Sequence, residues 1–399
     1  MIDKPLYIST MILLTISLIM SYSLSTYTIL IYHYDDFHFF IRQMGAVFIG
    51  ITLIALLSKL DPDKWFNRIG FAIFITFFLL MILMQFMPSS MVKAVGGAKR
   101  WIHIGPASIA PVEFFKVGFV FFLAWSFSRK LRNIGKVTLK EEFKIFMPYL
   151  FVFAIVVVLI AILQKDLGQT VVLAGTLAIL FVLTGRSIKF FIALMGLGFG
   201  AFVGLVIIAP HRMQRIVSWW STVQDTVLSF FPFEVVQQAL HIDVGKEPYQ
   251  ISNSLNAMQN GGIFGQGLGN GQFKLGYVSE VHTDFILAGL TEEIGFLGLS
   301  FVILTFLVLV FRINKIAGDL AEPHYYLFTV GVALIISLAL IINSYGISGI
   351  TPIKGIAVPL LSYGGSQIVA NCLAIGMVLM LSKKRQIWNT SKDNIKEEI

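Results

Sequence analysis

The sequence predicts an all-α polytopic membrane protein of about ten transmembrane helices, with a long extracytoplasmic loop between the seventh and the eighth. Three observations carry this prediction. Mean hydropathy is +0.81 over 399 residues. Charged residues are only 13% of the chain, about half the roughly 25% of a soluble domain. The apolar residues, 56% of the total, gather into stretches close to the ~20 residues that a membrane-crossing helix needs. A soluble fold of this length has too much surface to cover with so few polar groups. Cytosolic globular enzymes, secreted disulfide scaffolds and disordered chains are therefore excluded. The single cysteine, Cys372, offers no disulfide framework and no Cys-based zinc site.

In order, the candidate spans are 7–31, 43–58, 70–87, 108–127, 146–163, 168–184, 189–209, 285–311, 325–343 and 365–382. The first begins close to Met1 and lacks an A-x-A cleavage site, so it reads as a retained helix. The whole of 1–399 reads as one integral membrane domain, with a long loop over 210–283 and a tail over 383–399. No inverted repeat of the transporter kind is visible.

Lysine and arginine in the connections set the orientation. With the N-terminus inside, 19 of the 30 cations fall inside, 10 fall outside and Lys116 lies within a span. Both termini are expected to be cytoplasmic. The net charge of +8 is thus accounted for by topology, and nucleic acid is not an expected partner. The outer cations Lys99, Arg100, Arg212 and Arg215 run against that bias, and such residues suit an anionic headgroup.

The loop 210–283 concentrates the polar chemistry, as long loops in compact proteins tend to. It opens with Arg212, Arg215 and the pair Trp219-Trp220, and 228–240 mixes Phe, Val and Gln as a helix on the membrane surface would. Glycines follow at 261, 262, 265, 267, 269 and 271, with no Lys-Ser or Lys-Thr to make a phosphate loop. They fit tight turns and close backbone approach to a substrate equally well. The loop ends at Glu280-Val-His282-Thr-Asp284-Phe285, directly before a span. A carboxylate at that mouth loses hydration and can serve as a base, yet Thr283 and Asp284 are also good helix caps. Spacing alone favours the cap. Glu292 and Glu293, deeper in that span, are expected to face the bundle interior. Glu113 and Lys116, three apart on one helical face, are expected to form a structural ion pair. Ser362-Tyr-Gly-Gly-Ser366, with Pro352 and Pro359, makes a broken entry to the last span, tolerated only against protein or a cavity.

Three segments in sequence resemble the signatures of the SEDS family (the FtsW, RodA and sporulation proteins). They are Gly97-Ala-Lys99-Arg100-Trp101-Ile102 with Pro111-Val-Glu113-Phe-Phe-Lys116; Tyr249-Gln250 through Gly269 with Glu280-Val-His282-Thr-Asp284 and Glu292-Glu293-Ile-Gly295; and Pro352-Ile-Lys354-Gly355 through Ser366. Order, spacing and span number agree across the chain. Ser279, Val112, Lys165 and Gln367 depart from residues common in the family. Lys354 before Gly355 resembles the division branch, FtsW, more than the RodA elongation branch.

The resemblance implies a peptidoglycan glycosyltransferase of the bacterial plasma (inner) membrane, at the division septum, that polymerises lipid II. It implies a class B penicillin-binding protein transpeptidase and other division proteins as partners. Asp284 matches the family's essential aspartate and takes the role of base. Lys99, Arg100, Arg212 and Arg215 are candidates for the pyrophosphate, and Trp101 for the sugar or lipid path. Lys274, His282, Ser362 and Ser366 are further substrate-binding candidates. A divalent cation, Mg or Mn, at Asp284 is compatible with a pyrophosphate leaving group. The alternative is a lipid II flippase using the same cations without bond-making, or the RodA-type elongation polymerase.

Overall fold

The computed structural model of the chain describes residues 3–95, 97–105, 107–130, 138–185, 187–229, 237, 240–242, 249–353 and 355–397. Most of the expected surface helix over 228–240 lies outside the described residues, as do the orientation-setting cations Arg132, Lys136, Arg186, Lys246 and Lys354.

The helices are α1 (Lys4–Ser23), α2 (Thr26–Tyr32), α3 (His38–Leu57), α4 (Pro62–Leu83), α5 (Pro111–Lys130) and α6 (Leu139–Val157), which runs on through a π-helical stretch (Val158–Leu163). Then follow α7 (Leu167–Val182), α8 (Ile188–Ile207), α9 (Pro210–Leu228), α10 (Tyr249–Gly261), α11 (Ile286–Gly318), α12 (Pro323–Ile347) and α13 (Gly365–Glu397). Among the described residues nine helices are long and apolar enough to cross a membrane, and α7 is a shorter apolar helix beside them. The protein is therefore a multi-pass membrane protein of all-α architecture, as its hydropathy predicts.

Local chemistry explains most boundaries. Asp3 accepts from Leu6 N–H ahead of Pro5 at the start of α1, and Asp61 caps α4 ahead of Pro62. Thr138 and Glu141 form a capping box on α6. The span expected over 7–31 is instead broken after Ser23. There the Ser25 and Thr26 hydroxyls bond back to the carbonyls of Tyr22 and Ser23, competing with the helical ladder.

α11 has 33 residues, about 50 Å of helix against a hydrocarbon core of roughly 30 Å. Its geometry breaks at Gly295, φ 70° and ψ −175°. Beyond the break Phe296 and Leu297 N–H donate to the carbonyls of Gly262 and Ile263, at 2.9 and 3.1 Å. The segment before the break is thus clad by the end of the long loop and not by lipid. That cladding explains part of the glycine run: a Cβ on Gly265 would stand 2.3 Å from the Glu293 carbonyl oxygen. Gly261 and Gly271 likewise approach α11, within the chain, whereas Gly262, Gly267 and Gly269 serve left-handed turns.

One apolar core runs from Leu6 to Leu381, with α5 packed against α4, α7, α12 and α13. Between α4 and α5 lie two antiparallel hairpins, β1 (Ala94–Val95) with β2 (Ala98–Lys99) and β3 (Ile102–Ile104) with β4 (Ala107–Ile109). They mark the end of the bundle where the candidate site forms.

Candidate active site

Five segments meet around a cavity of about 340 Å³. Arg100 and Trp101 come from the link between the two hairpins, Lys165 and Asp166 from the turn before α7, and Arg212 and Arg215 from α9. Asp284 enters from the segment before α11, and Pro352, Ile353 and Gly355 from the broken entry to α13. Five of the residues singled out from sequence therefore share one wall-to-wall space: Arg100, Trp101, Arg212, Arg215 and Asp284.

The helix-cap reading of Asp284, which spacing favours, does not hold. The cap of α11 is Phe285, and it carries no side-chain cap hydrogen bond. The Thr283 hydroxyl donates instead to the carbonyl and carboxylate of Glu280, at 3.0 and 3.1 Å. The Asp284 carboxylate is left facing the cavity. Gly355, at φ 61°, lies so close that a Cβ there would stand 3.0 Å from Asp284 Oδ2. Only glycine combines that backbone with that proximity.

Burial is the main cause that raises the Asp284 carboxyl, which is pushed up to about 7. The charges of Glu280 and Asp166 add to the rise, and Arg100 and Arg215 oppose it. Asp166 is raised too, mainly by burial, with Arg100 opposing. Its carboxylate also accepts from Gln169 N–H at 3.1 Å, capping α7. Two carboxylates thus share a cavity with three arginines.

The arginines are not equivalent. Arg100 donates Nε to the Gln164 carbonyl at 2.8 Å and Nη2 to the Lys165 carbonyl at 3.0 Å, holding the turn that carries Asp166. Arg212 donates to the carbonyls of Leu205 and Ala161, tying α8 to the π-helical stretch. Arg215, one turn further along α9, is exposed at the cavity.

The structure places the remaining candidates outside the cavity wall. Lys99 Nζ donates to the Gln85 carbonyl at 2.9 Å, beyond the end of α4. Lys274, 3% exposed, pairs with Glu293 at 2.7 Å and donates to the Ser23 carbonyl, so its charge is committed to a buried pair between loop and bundle. His282 is buried with its ring against Phe39 and Tyr363, at centroid distances of 5.0 and 5.5 Å. Ser362, fully buried, donates to the Thr283 carbonyl at 2.6 Å and accepts from Val358 N–H at 2.8 Å. Ser366 accepts from Ala110 N–H at 2.9 Å. These groups hold backbone around the site instead of lining it. Glu113 and Lys116 pair at 2.9 Å in the bundle, and Gln169 Nε2 links Glu113 to α7 at 3.1 Å. Glu292 and Glu293 are buried, and Glu292 accepts from Gln272 and Phe273 N–H.

Sequence reasoning did not single out Asp166 as a site residue. The available signal was its position, a carboxylate directly before a span, which is the pattern of Asp284. It also missed Asn343, which nothing local distinguishes, and it gave Gly355, quoted within the third signature, no place at the site.

The fold and cavity together define a polytopic helical membrane protein with a charged site at one end of the bundle. The chain belongs to the family described as cell cycle protein, FTSW_RODA_SPOVE, whose model matches residues 4–387. It is 48% identical over 382 residues to the probable peptidoglycan glycosyltransferase FtsW of Helicobacter pylori, covering 96% of this chain and 98% of that one. It is 36% identical over 383 residues to stage V sporulation protein E of Bacillus subtilis, covering 96% and 97%. In fold it resembles an aspartate-to-alanine mutant of the Thermus thermophilus rod shape determining protein RodA, with TM-score 0.64, 20% identity and 96% and 98% coverage. A chain from a peptidoglycan synthase complex gives TM-score 0.67 at 20% identity and the same coverage.

Proposed function

We propose that this protein is a peptidoglycan glycosyltransferase that polymerises lipid II during septal cell-wall synthesis. The observation that carries the proposal is the placement of the Asp284 carboxyl, pushed up to about 7 mainly by burial, in a cavity it shares with Arg100, Arg212 and Arg215. The names of the FtsW relatives support the same activity.

In the reaction, the 4-hydroxyl oxygen of one lipid-linked glycan attacks the anomeric carbon of the next. Asp284 takes the hydroxyl proton, the bond from that carbon to pyrophosphate breaks, and the lipid pyrophosphate leaves with the electron pair. A base is most effective when it titrates near the working pH. Guanidinium groups fixed in advance offset the charge that builds on the leaving pyrophosphate. Arg215 is the arginine whose fork is presented to the cavity, and Arg100 and Arg212 add charge while holding the walls.

Asp284 and Asp166 would hold a divalent cation, because two carboxylates with phosphate oxygens and water form a hard, oxygen-only donor set that suits Mg or Mn. When bound, the ion would supply charge neutralisation at the pyrophosphate. The working orientation places the cavity at the outer leaflet and both termini in the cytoplasm, following the 19-to-10 bias of the cations. A class B penicillin-binding protein would crosslink the product, in company with other division proteins.

The test is a lipid II polymerisation assay on the purified protein in detergent, with and without its cognate transpeptidase. Glycan polymer that depends on Asp284 is the expected product. A flippase yields none, since detergent offers no second leaflet.

A further inference from the structure

We infer that Asn343 is a positioning residue for Asp284: from α12, one side-chain amide fixes both the segment that carries Asp284 and the segment that walls it. The inference rests on the lipid II polymerase reading above. Asn343 is 5% exposed, and it does not line the cavity. Its Nδ2 donates to the Asp284 carbonyl at 2.6 Å and to the Ile356 carbonyl at 2.6 Å. An amide nitrogen has two hydrogens, so both are used. Neither carbonyl lies in a helix or strand, and buried carbonyls of that kind need a partner.

Two further observations support a role in placement. The Asn343 Oδ1 atom is buried with no hydrogen-bond partner. An orphaned acceptor costs stability, so an apolar residue of similar size would serve better if packing were the only demand. The segment held at Ile356 begins at Gly355, beside Asp284 Oδ2. Ser362 meanwhile grips the neighbouring Thr283 carbonyl. The Asp284 backbone and the wall against its carboxylate are thus referred to one atom on a packed helix. Displacements of about 1 Å at a reacting group can cost ~10²-fold in rate.

Asn343→Leu keeps the volume and removes both donors. Lipid II polymerisation kinetics and thermal melting would be measured on wild type, Asn343→Leu and Asp284→Asn. The expected result is a fall in kcat of roughly 10-fold or more with KM within about 3-fold, the signature of lost transition-state placement. A purely structural role would lower the melting temperature and leave kcat per folded molecule unmoved; that outcome overturns the inference. An active Asp284→Asn would remove the base itself and overturn both readings. If Asn343→Leu does not accumulate, Asn343→Ser decides, since its single hydroxyl can donate to at most one of the two carbonyls. The same kcat loss supports the inference, and unchanged kcat refutes it.

Discussion

Asp166 and Asp284 line the same cavity, and the charge of Asp166 is one of the influences that raise the Asp284 carboxyl. Like charges in a partly dehydrated space disfavour joint ionisation. One carboxylate therefore helps to hold the other near its midpoint of ionisation at physiological pH, and Arg100 and Arg215 limit how far the rise goes. The pair is the electrostatic centre of the site, and it is assembled from segments far apart in the chain.

For Asp284, pushed up to about 7, the polymerisation rate should rise with pH through a midpoint of about 7, since a base acts when deprotonated. Asp284→Asn should lose the limb and at least ~10²-fold of the rate. Stability carries the opposite sign. The folded value lies above the unfolded value of about 3.9, so the wild type should lose stability between about pH 4 and 7, and no more above that range. Melting curves of both proteins across pH check this, and parallel curves would contradict it.

Asp166→Asn retains an acceptor for Gln169 N–H, and asparagine caps helices as well as aspartate does. It removes only the charge. The rising limb of the rate should shift to lower pH while the melting temperature does not fall. An unmoved limb would mean that the two carboxylates do not interact.

Arg212→Lys and Arg215→Lys should fail differently. Arg212 bridges two backbone carbonyls, which a single ammonium at the end of a flexible stem does not reproduce. Its lysine variant should melt earlier. Arg215 is exposed at the cavity, so its lysine variant should melt normally and turn over lipid II more slowly, having lost the planar fork that grips phosphate in pairs. Equal turnover by Arg215→Lys and wild type would exclude a phosphate clamp at that position.

Buried pairs should report on stability and not on substrate. Lys274→Met leaves Glu293 charged and alone against Ser23, and Glu113→Ala does the same to Lys116. Breaking a buried pair typically costs about 3–5 kcal/mol. Both variants should show lower melting temperature or lower yield, with KM for lipid II unchanged in what survives. A normal melt with a raised KM for Lys274→Met would return that lysine to the substrate site.

How much of this was legible in the sequence follows from what each feature depends on. Span number depends on runs of apolar residues, and the runs are contiguous, so of the ten read from sequence nine recur among the described residues as helices long enough to cross a membrane and the tenth, 168–184, as the shorter α7. The Glu113–Lys116 pair depends on helical spacing of three, which is also local. The burial of Glu292 and Glu293 follows from the cost of charge in hydrocarbon. The break after Ser23 was missed because hydropathy averages over the hydroxyls that cause it.

What the sequence by itself determined, then, is a multi-pass helical chain, its apolar spans, and a short set of charged residues out of keeping with them. Tertiary structure alone decided which of those charges meet. Spacing favoured Asp284 as a helix cap; it faces a cavity because Phe285 takes the cap position and Asn343 and Ser362 hold the Asp284 and Thr283 carbonyls. Lys274 and Arg215 look alike as loop cations. One is drawn into a buried pair with Glu293 and the other is left at the cavity. The physical reason is that the energy of a charge is set by its surroundings, through dehydration and the distance to other charges. Here those surroundings are supplied by segments that only the packed bundle brings together.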